Sequence, residues 1–309
     1  MDHHRGVATG PPGELAERTL GAWDGLLELA RTLPSEGLGR LAELGSWPER
    51  PVLARLMAQA RDSAGGPAPT PPQAPPSQAP LSETPLSETP LSEAPRQDHS
   101  DEPPARVLAA LDEARRRIAE ALAEVEREPG LALVELDSAL GPLPLLTQIH
   151  ASAHEVALAA LDCFPDRAAA RAGLSPAVTD AAVAAMVDVV GALAHRQGLR
   201  AEAGVWGEGT SGWVFRADAQ GWRTESGTGG GPGADTPGIE GAAATVLGVP
   251  IGRAALPSLL AKGEIRLHRI GGLMALAPLV EQVPGLPGGA LLRRAVGVVG
   301  LLGRLPGLR

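Results

Sequence analysis

The 309-residue chain has no tyrosine, a single cysteine (Cys163), a single lysine (Lys262) and two phenylalanines beside five tryptophans. Each shortage excludes something. One cysteine cannot build a disulfide framework or a cysteine-based zinc cage. A formal net charge of -9 argues against a nucleic-acid partner, because such binding rests on neutralising phosphates. No apolar run of about 18 residues occurs, so no transmembrane segment is expected. The opening MDHHRGVATGPPGE lacks the apolar stretch of a signal peptide. These readings together describe a soluble, cytoplasmic protein. What is abundant is glycine (39) and proline (30), with alanine and arginine, a bias that a GC-rich genome also produces.

The clearest boundary is internal. Residues 63–104 are dominated by proline, and the unit PLSE(T/A) recurs every five residues at Pro80, Pro85 and Pro90. Six acids against Arg96 give this stretch a net charge of -5. Proline fixes φ and removes backbone donors, and almost nothing here is large and apolar, so a disordered linker with polyproline-II character is expected. A solvated tether and a docking or phosphorylation tract at Thr84-Pro85 and Thr89-Pro90 are both open readings.

Helical periodicity surrounds the linker. Leu15, Leu20, Trp23, Leu26, Leu27 and Leu33 form one stripe. Ser46 as N-cap and Pro48 open a second helix through Val52, Leu53, Leu56 and Met57. Val107 to Val125 predicts a third, Leu145 to Phe164 a fourth, and Ser175-Pro176 opens a fifth running to Leu193. Several such helices around one core suggest an antiparallel bundle. Lengthening one bundle loop from about 5 to about 40 residues costs only about 2 kcal/mol of closure entropy, so the linker is tolerable there.

Beyond His195 the period shortens. Leu199–Trp206, Gly212–Ala219 and Gly221–Ser226 read as strands, with Trp213 and Phe215 on one face and Val214 and Arg216 on the other. A glycine-rich stretch at 227–238 reads as a flexible hairpin connection. A strand (239–247), a helix (251–261), a strand (264–270) and a helix (272–283) follow, which is the order of a small α+β domain. The last 26 residues, 284–309, carry arginines among leucines and valines and no acid. They can form a basic amphipathic helix, weakened by Gly297, Gly300 and Gly303 at about 0.8–1 kcal/mol each. Packing back on the small domain, docking a protein partner and touching a membrane surface are its three readings.

Two stretches resemble a known family. Trp47-Pro-Glu-Arg50-Pro-Val52-Leu53-Ala54-Arg55-Leu56 is similar to the W-x-x-R-x-V-L-A-H-L helix of mycothiol-dependent maleylpyruvate isomerases and their DinB-like relatives. Leu140-Gly-Pro-Leu-Pro-Leu145, continuing to Glu155-Val-Ala-Leu-Ala159-Ala-Leu-Asp162, resembles their L-G-P-L-P-L leader and E-x-x-x-H-x-x-D helix. Ala244-Thr-Val-Leu-Gly248 and Leu260-Ala-Lys-Gly-Glu264-Ile-Arg-Leu look like the sterol-carrier-like domain that often follows. The fold this implies is α plus α+β: a DinB-like antiparallel helix bundle over 13–198, interrupted by the linker at 63–104, then a small sterol-carrier-like α+β domain over 199–283 and the basic amphipathic tail at 284–309.

The resemblance further implies a divalent metal, held by one histidine on the second helix and by a glutamate and a histidine on the fourth, activating the sulfur of mycothiol. Only Glu155 is retained. Arg55 and Ala159 stand where the two imidazoles belong, and one carboxylate cannot hold such an ion. An Arg55–Glu155 ion pair is the expected replacement. Arg55 with Glu155 as an acid–base pair ranks last, since arginine is a poor proton donor. His150 and His154 share a helix face, about 100° or more from the one carrying Glu155. With Glu155 they are the remaining metal candidates, but they read as surface or interdomain histidines. His195 and His268 are isolated by spacing, and His3 and His4 sit in an end expected to be mobile. Cys163 reads as a buried small hydrophobe. Ser211-Gly-Trp213 has no acid–histidine partner at a suggestive spacing. Trp206, Trp213 and Trp222 are expected to line the inner face of the small sheet, as core or as a wall for an apolar ligand.

The resulting expectation is an isomerase-like protein without its metal site or cofactor, acting as a binding or scaffolding module. Its occupant would be an apolar small molecule, or a protein met through the linker or the tail. The competing expectation is a metal- and mycothiol-dependent isomerase or transferase.

Overall fold

The computed structural model describes residues 4–45, 58, 103–138, 140–227, 231–233, 235–249, 256–276 and 278–279. The expected second helix, Arg55, the bulk of the linker and the tail lie outside the described residues.

Proline opens three of the four long helices, since its missing N–H costs nothing in a first turn. Helix α1 is Pro12–Thr32, followed by the short α2 (Ser35–Gly39) and α3 (Ala42–Gly45). Helix α4, Pro104–Arg127, buries Val107, Leu111, Ala114, Ile118, Leu122 and Val125, the stripe that the sequence periodicity outlines. Helix α5 is Leu145–Asp162. Helix α6, Arg167–Gly173, has no apolar stripe to announce it; Asp166 caps it by accepting the Ala169 N–H at 2.9 Å. Helix α7, Pro176–Arg196, is capped by Ser175, which accepts the Val178 N–H.

Helix α7 is the centre of the molecule. It packs on α1 and α5 on one side and on the sheet on the other. By length and composition it could cross a membrane, yet 72% of its apolar window is buried inside the protein, as in a core helix.

The sheet has six strands: β1 (His4–Arg5), β4 (Ala201–Glu208), β5 (Trp213–Asp218), β6 (Gly221–Ser226), β7 (Gly238–Ala242) and β8 (Ile265–His268). Their order is β1-β6-β5-β4-β7-β8, with β1 parallel to β6, β4 parallel to β7 and the other pairs antiparallel. A separate two-stranded ladder joins β2 (Glu135–Leu136) and β3 (Leu143–Pro144) at the entry to α5. One continuous buried cluster runs from the bundle into the sheet. The fold is therefore a mixed α plus β one.

Four expectations need correction. The N-terminal end is not loose where it is described: His4 and Arg5 pair with Gly221 and Trp222, and Val7 and Ala8 in the 3-10 turn Gly6–Thr9 are buried. The stretch 239–247 is not one strand. Strand β7 stops at Ala242 opposite Glu208, where Gly209, with φ +81°, turns its partner β4 away. The alanine-rich Ala243–Gly248 then coils into helix α8. The glycine-rich stretch is not a hairpin connection, because β5 and β4 lie between β6 and β7. Finally, the expected strand 264–270 ends at His268. Arg269 adopts a left-handed φ of 49° and starts helix α10, Ile270–Met274, after the short α9 (Leu256–Ala261).

Candidate functional site

Two aspartates on α7 receive the sheet. Asp188, fully buried, accepts the Trp222 Nε1–H at 2.9 Å, the Thr224 hydroxyl at 2.7 Å and the Val7 N–H at 3.0 Å on Oδ1, and the Thr147 hydroxyl at 3.0 Å on Oδ2. Four donors from the N-terminal turn, α5 and β6 thus meet on one carboxylate. Burial pushes its pKa above the usual range, and the four hydrogen bonds oppose that shift. Two turns earlier, Asp180 accepts the Trp213 Nε1–H at 3.1 Å and the Ser211 N–H at 2.7 Å on Oδ1. Arg18 of α1 lies 3.7 Å from the other oxygen of Asp180, and its guanidinium sits 4.4 Å from the centroid of Trp213.

This arrangement separates the three candidate tryptophans. Opposed residues of antiparallel strands share a face, as do residues two apart. The registers Val205↔Trp213 and Ala217↔Trp222 therefore put Trp213 and Trp222 on the face that packs against α7, and Trp206 on the other. Against that inner face, a Cβ at Gly191 of α7 would stand 3.0 Å from the Phe215 Cβ. Trp206 lies over Gly204 and Gly238, whose added Cβ atoms would meet its ring at 2.6 and 2.2 Å. Its edge neighbour is His268, 6.2 Å away between ring centroids. The expectation of three indoles along one inner face fails, because pairing register decides the face.

The histidines are engaged in ways that spacing did not reveal. His195 Nδ1 donates to the Asp218 carbonyl at 2.8 Å, so its Nε2 is left to face Arg5 at 3.4 Å. His268 bonds Glu240 at 2.9 Å. His150 and His154 are not surface residues: His150 is 0% exposed and His154 is partly buried. They lie where α5 packs between α1 and α7, so the interhelical contact covers what looked like the edge of a stripe.

Their protonation follows from their surroundings. Thr19 has one hydroxyl hydrogen and donates it to the Leu15 carbonyl at 2.8 Å. The same hydroxyl lies 2.8 Å from His150 Nδ1 and is its hydrogen-bond partner. His150 Nε2 is enclosed and has no hydrogen-bond partner among the described residues. The enclosed His154 Nδ1 likewise has no hydrogen-bond partner among the described residues. Desolvation lowers the pKa of His150 to about 3, with Arg18 adding to the effect, and that of His154 to about 4.

Of the three positions that the resemblance marks for a metal, Glu155 and Ala159 are described. Glu155 is partly buried on α5. Ala159, packed against the core, offers no donor atom, and Arg55 with its expected ion pair lies outside the described residues. No group of three or more histidine, cysteine, aspartate or glutamate side chains that could hold a metal occurs among the described residues. Cys163, at the end of α5, is partly buried, with Sγ 3.4 Å from the Ala159 carbonyl and 3.5 Å from that of Gly37.

No family model and no curated protein matches the chain. Among solved structures, the crystal structure of a histidine-to-alanine mutant of mycothiol-dependent maleylpyruvate isomerase is similar. It has a TM-score of 0.41 and 15% identity, covering 81% of this chain and 93% of that one.

Proposed function

We propose that the chain is a maleylpyruvate isomerase-like protein of the DinB type in which the metal constellation is lost, and that it works as a binding or scaffolding module of the cytoplasm. The observation that carries this reading is Ala159. At the position where the resemblance calls for a second imidazole stands a methyl group packed against the core, and without that donor Glu155 cannot retain a divalent ion. The occupant of the module is an apolar small molecule, or a protein engaged through residues 284–309 or the acidic repeat at 63–104. The two-domain division at residue 198/199 belongs to the same proposal.

Elemental analysis tests it. Purified protein should retain no zinc or nickel that depends on Glu155, so wild type and Glu155→Gln should carry the same low divalent-metal content. Stoichiometric divalent metal that disappears in Glu155→Gln, together with mycothiol-dependent isomerisation of maleylpyruvate, would establish the competing enzyme reading.

A further inference from the structure

A guanidinium group donates hydrogen bonds and never accepts them, and a backbone carbonyl only accepts. Two imidazoles beside strand β1 are fixed by this chemistry. Arg223 on β6 reaches His4 Nε2 through its Nη2, so that ring nitrogen is the acceptor and carries no proton. His195, in the last turn of α7, gives its Nδ1–H to the Asp218 carbonyl at 2.8 Å, and its Nε2 faces Arg5 Nη1 at 3.4 Å. Here too Nε2 accepts. Both contacts therefore exist only while both rings are neutral.

Among the described residues neither ring is hydrogen-bonded or ion-paired to a carboxylate. The other charged groups at this junction are engaged elsewhere. Glu135 on β2 lies 3.7 Å from Arg5 Nε. Arg216, opposite Arg223 in the β5–β6 ladder, lies 3.2 Å from Glu202 and 3.7 Å from Glu225. The Asp218 carboxylate accepts the Gln220 N–H, Arg196 lies against Gly141, and Asp188 is buried beneath its four donors. A proton on either imidazole would replace an accepted N–H by N–H facing N–H, and would set cation against cation. At His195 the two charges would share one indole, since Arg5 and the His195 ring lie 5.7 and 5.9 Å from the Trp222 ring centroid. Helix α7 belongs to the core and His195 Nδ1 is tied to Asp218. Strand β1 is two residues long, paired as His4↔Gly221 and Arg5↔Trp222, so β1 is the part that gives way.

We propose that His4 and His195 make β1 an acid-released strap: protonation of the two rings expels Arg5 and unpairs β1 from β6, while the turn Gly6–Thr9 stays fastened by the Val7 N–H on Asp188. Pairing is strongest with both rings neutral and weakens as pH falls. The window lies between pH 5 and pH 8, where histidine is the side chain that changes charge. Release leaves β6 as the open edge of the sheet among the described strands, with backbone groups free to pair with another extended segment. The strap involves neither Glu155 nor Ala159, so it stands or falls separately from the proposed function.

The experiment is proton–nitrogen NMR of the full chain from pH 8 to pH 5. The open fraction of β1, read from the amide shifts of His4, Arg5 and Trp222, should rise by about tenfold or more as pH falls. The Val7 amide should stay protected throughout, which separates release of the strap from unfolding. A His4→Gln, His195→Gln double variant, whose side chains take up no proton, should keep β1 paired at pH 5. Arg223→Gln still offers His4 an N–H but without the charge, and should shift release to lower pH; it decides the matter if the double variant is already open at pH 8. Amide shifts of His4 and Arg5 that hold their places down to pH 5, acid release that persists in the paired double variant, an unshifted transition in Arg223→Gln, or loss of Val7 protection at the same pH would each overturn the proposal.

Discussion

Trp222 on strand β6 gives its indole N–H to Asp188 on helix α7 at 2.9 Å, while the N-terminal turn, through the Val7 N–H, reaches the same carboxylate oxygen at 3.0 Å. A single buried acid therefore joins three parts of the chain that are far apart in sequence. Replacing it by alanine leaves four donors unmatched. We predict that Asp188→Ala lowers stability by about 3 kcal/mol or more, whereas Asp188→Asn, which keeps one acceptor oxygen, costs roughly half as much. Urea midpoints of the two variants measure this; an alanine variant as stable as wild type would contradict it.

The Trp222–Asp188 bond should also show as coupling. Trp222→Phe keeps a ring against α7 and removes the N–H. In a double-mutant cycle with Asp188→Asn, an interaction of about 1 kcal/mol is expected. Strict additivity would mean that the indole acts through packing alone.

Gly6 permits the close approach. Its φ is +57°, and an added Cβ would fall 1.9 Å from Asp188 Oδ1 and 2.1 Å from Trp222 Nε1. Gly6→Ala therefore combines left-handed strain of about 1–2 kcal/mol with displacement of the anchor. Faster amide exchange at Val7 and Ala8 is the expected signature, and unchanged protection there would disprove the account.

The buried histidines set the acid limb of stability. Their folded pKa values, about 3 for His150 and about 4 for His154, lie below the ordinary 6.5. Between those values the unfolded chain binds protons that the folded chain does not. Their contribution is complete above pH 6.5 and is lost as pH falls, at up to about 1.4 kcal/mol per pH unit for each. His154, being partly exposed, gives the smaller share. Asp188 acts in the opposite sense: with its folded pKa raised, its contribution shrinks as pH rises above the usual aspartate range. Denaturant midpoints measured from pH 7 to pH 4.5 in Asp188→Asn should isolate the histidine slope. A flat profile there would show the rings to be solvated.

How much of this was legible in the sequence depends on the kind of contact. The stripe Val107–Leu111–Ala114–Ile118 on α4 could be read directly, because helical burial repeats every three to four residues whatever the helix packs against. The proline starts of α1, α4 and α7 and the Ser175 cap were legible for the same local reason. His150 was misjudged because its burial comes from α1 and α7, whose contact with α5 no spacing encodes. For Trp206 the missing information was the β4–β5 register, since the period of two fixes alternation and leaves open which face turns inward. His195 and His268 looked isolated because Asp218 and Glu240, their partners, sit on other elements.

By itself, then, the sequence determined the existence and type of the long helices and of the central strands, and it left Ala159 without a donor atom. These depend on local periodicity, on backbone chemistry and on the atoms a side chain possesses. Only the tertiary structure decided that Asp188 gathers Val7, Thr147, Trp222 and Thr224, that the tryptophans divide between two faces, and that His150 and His154 are enclosed between helices. Such facts are set by long-range packing, in which residues far apart in the chain share one dry environment and determine each other's protons.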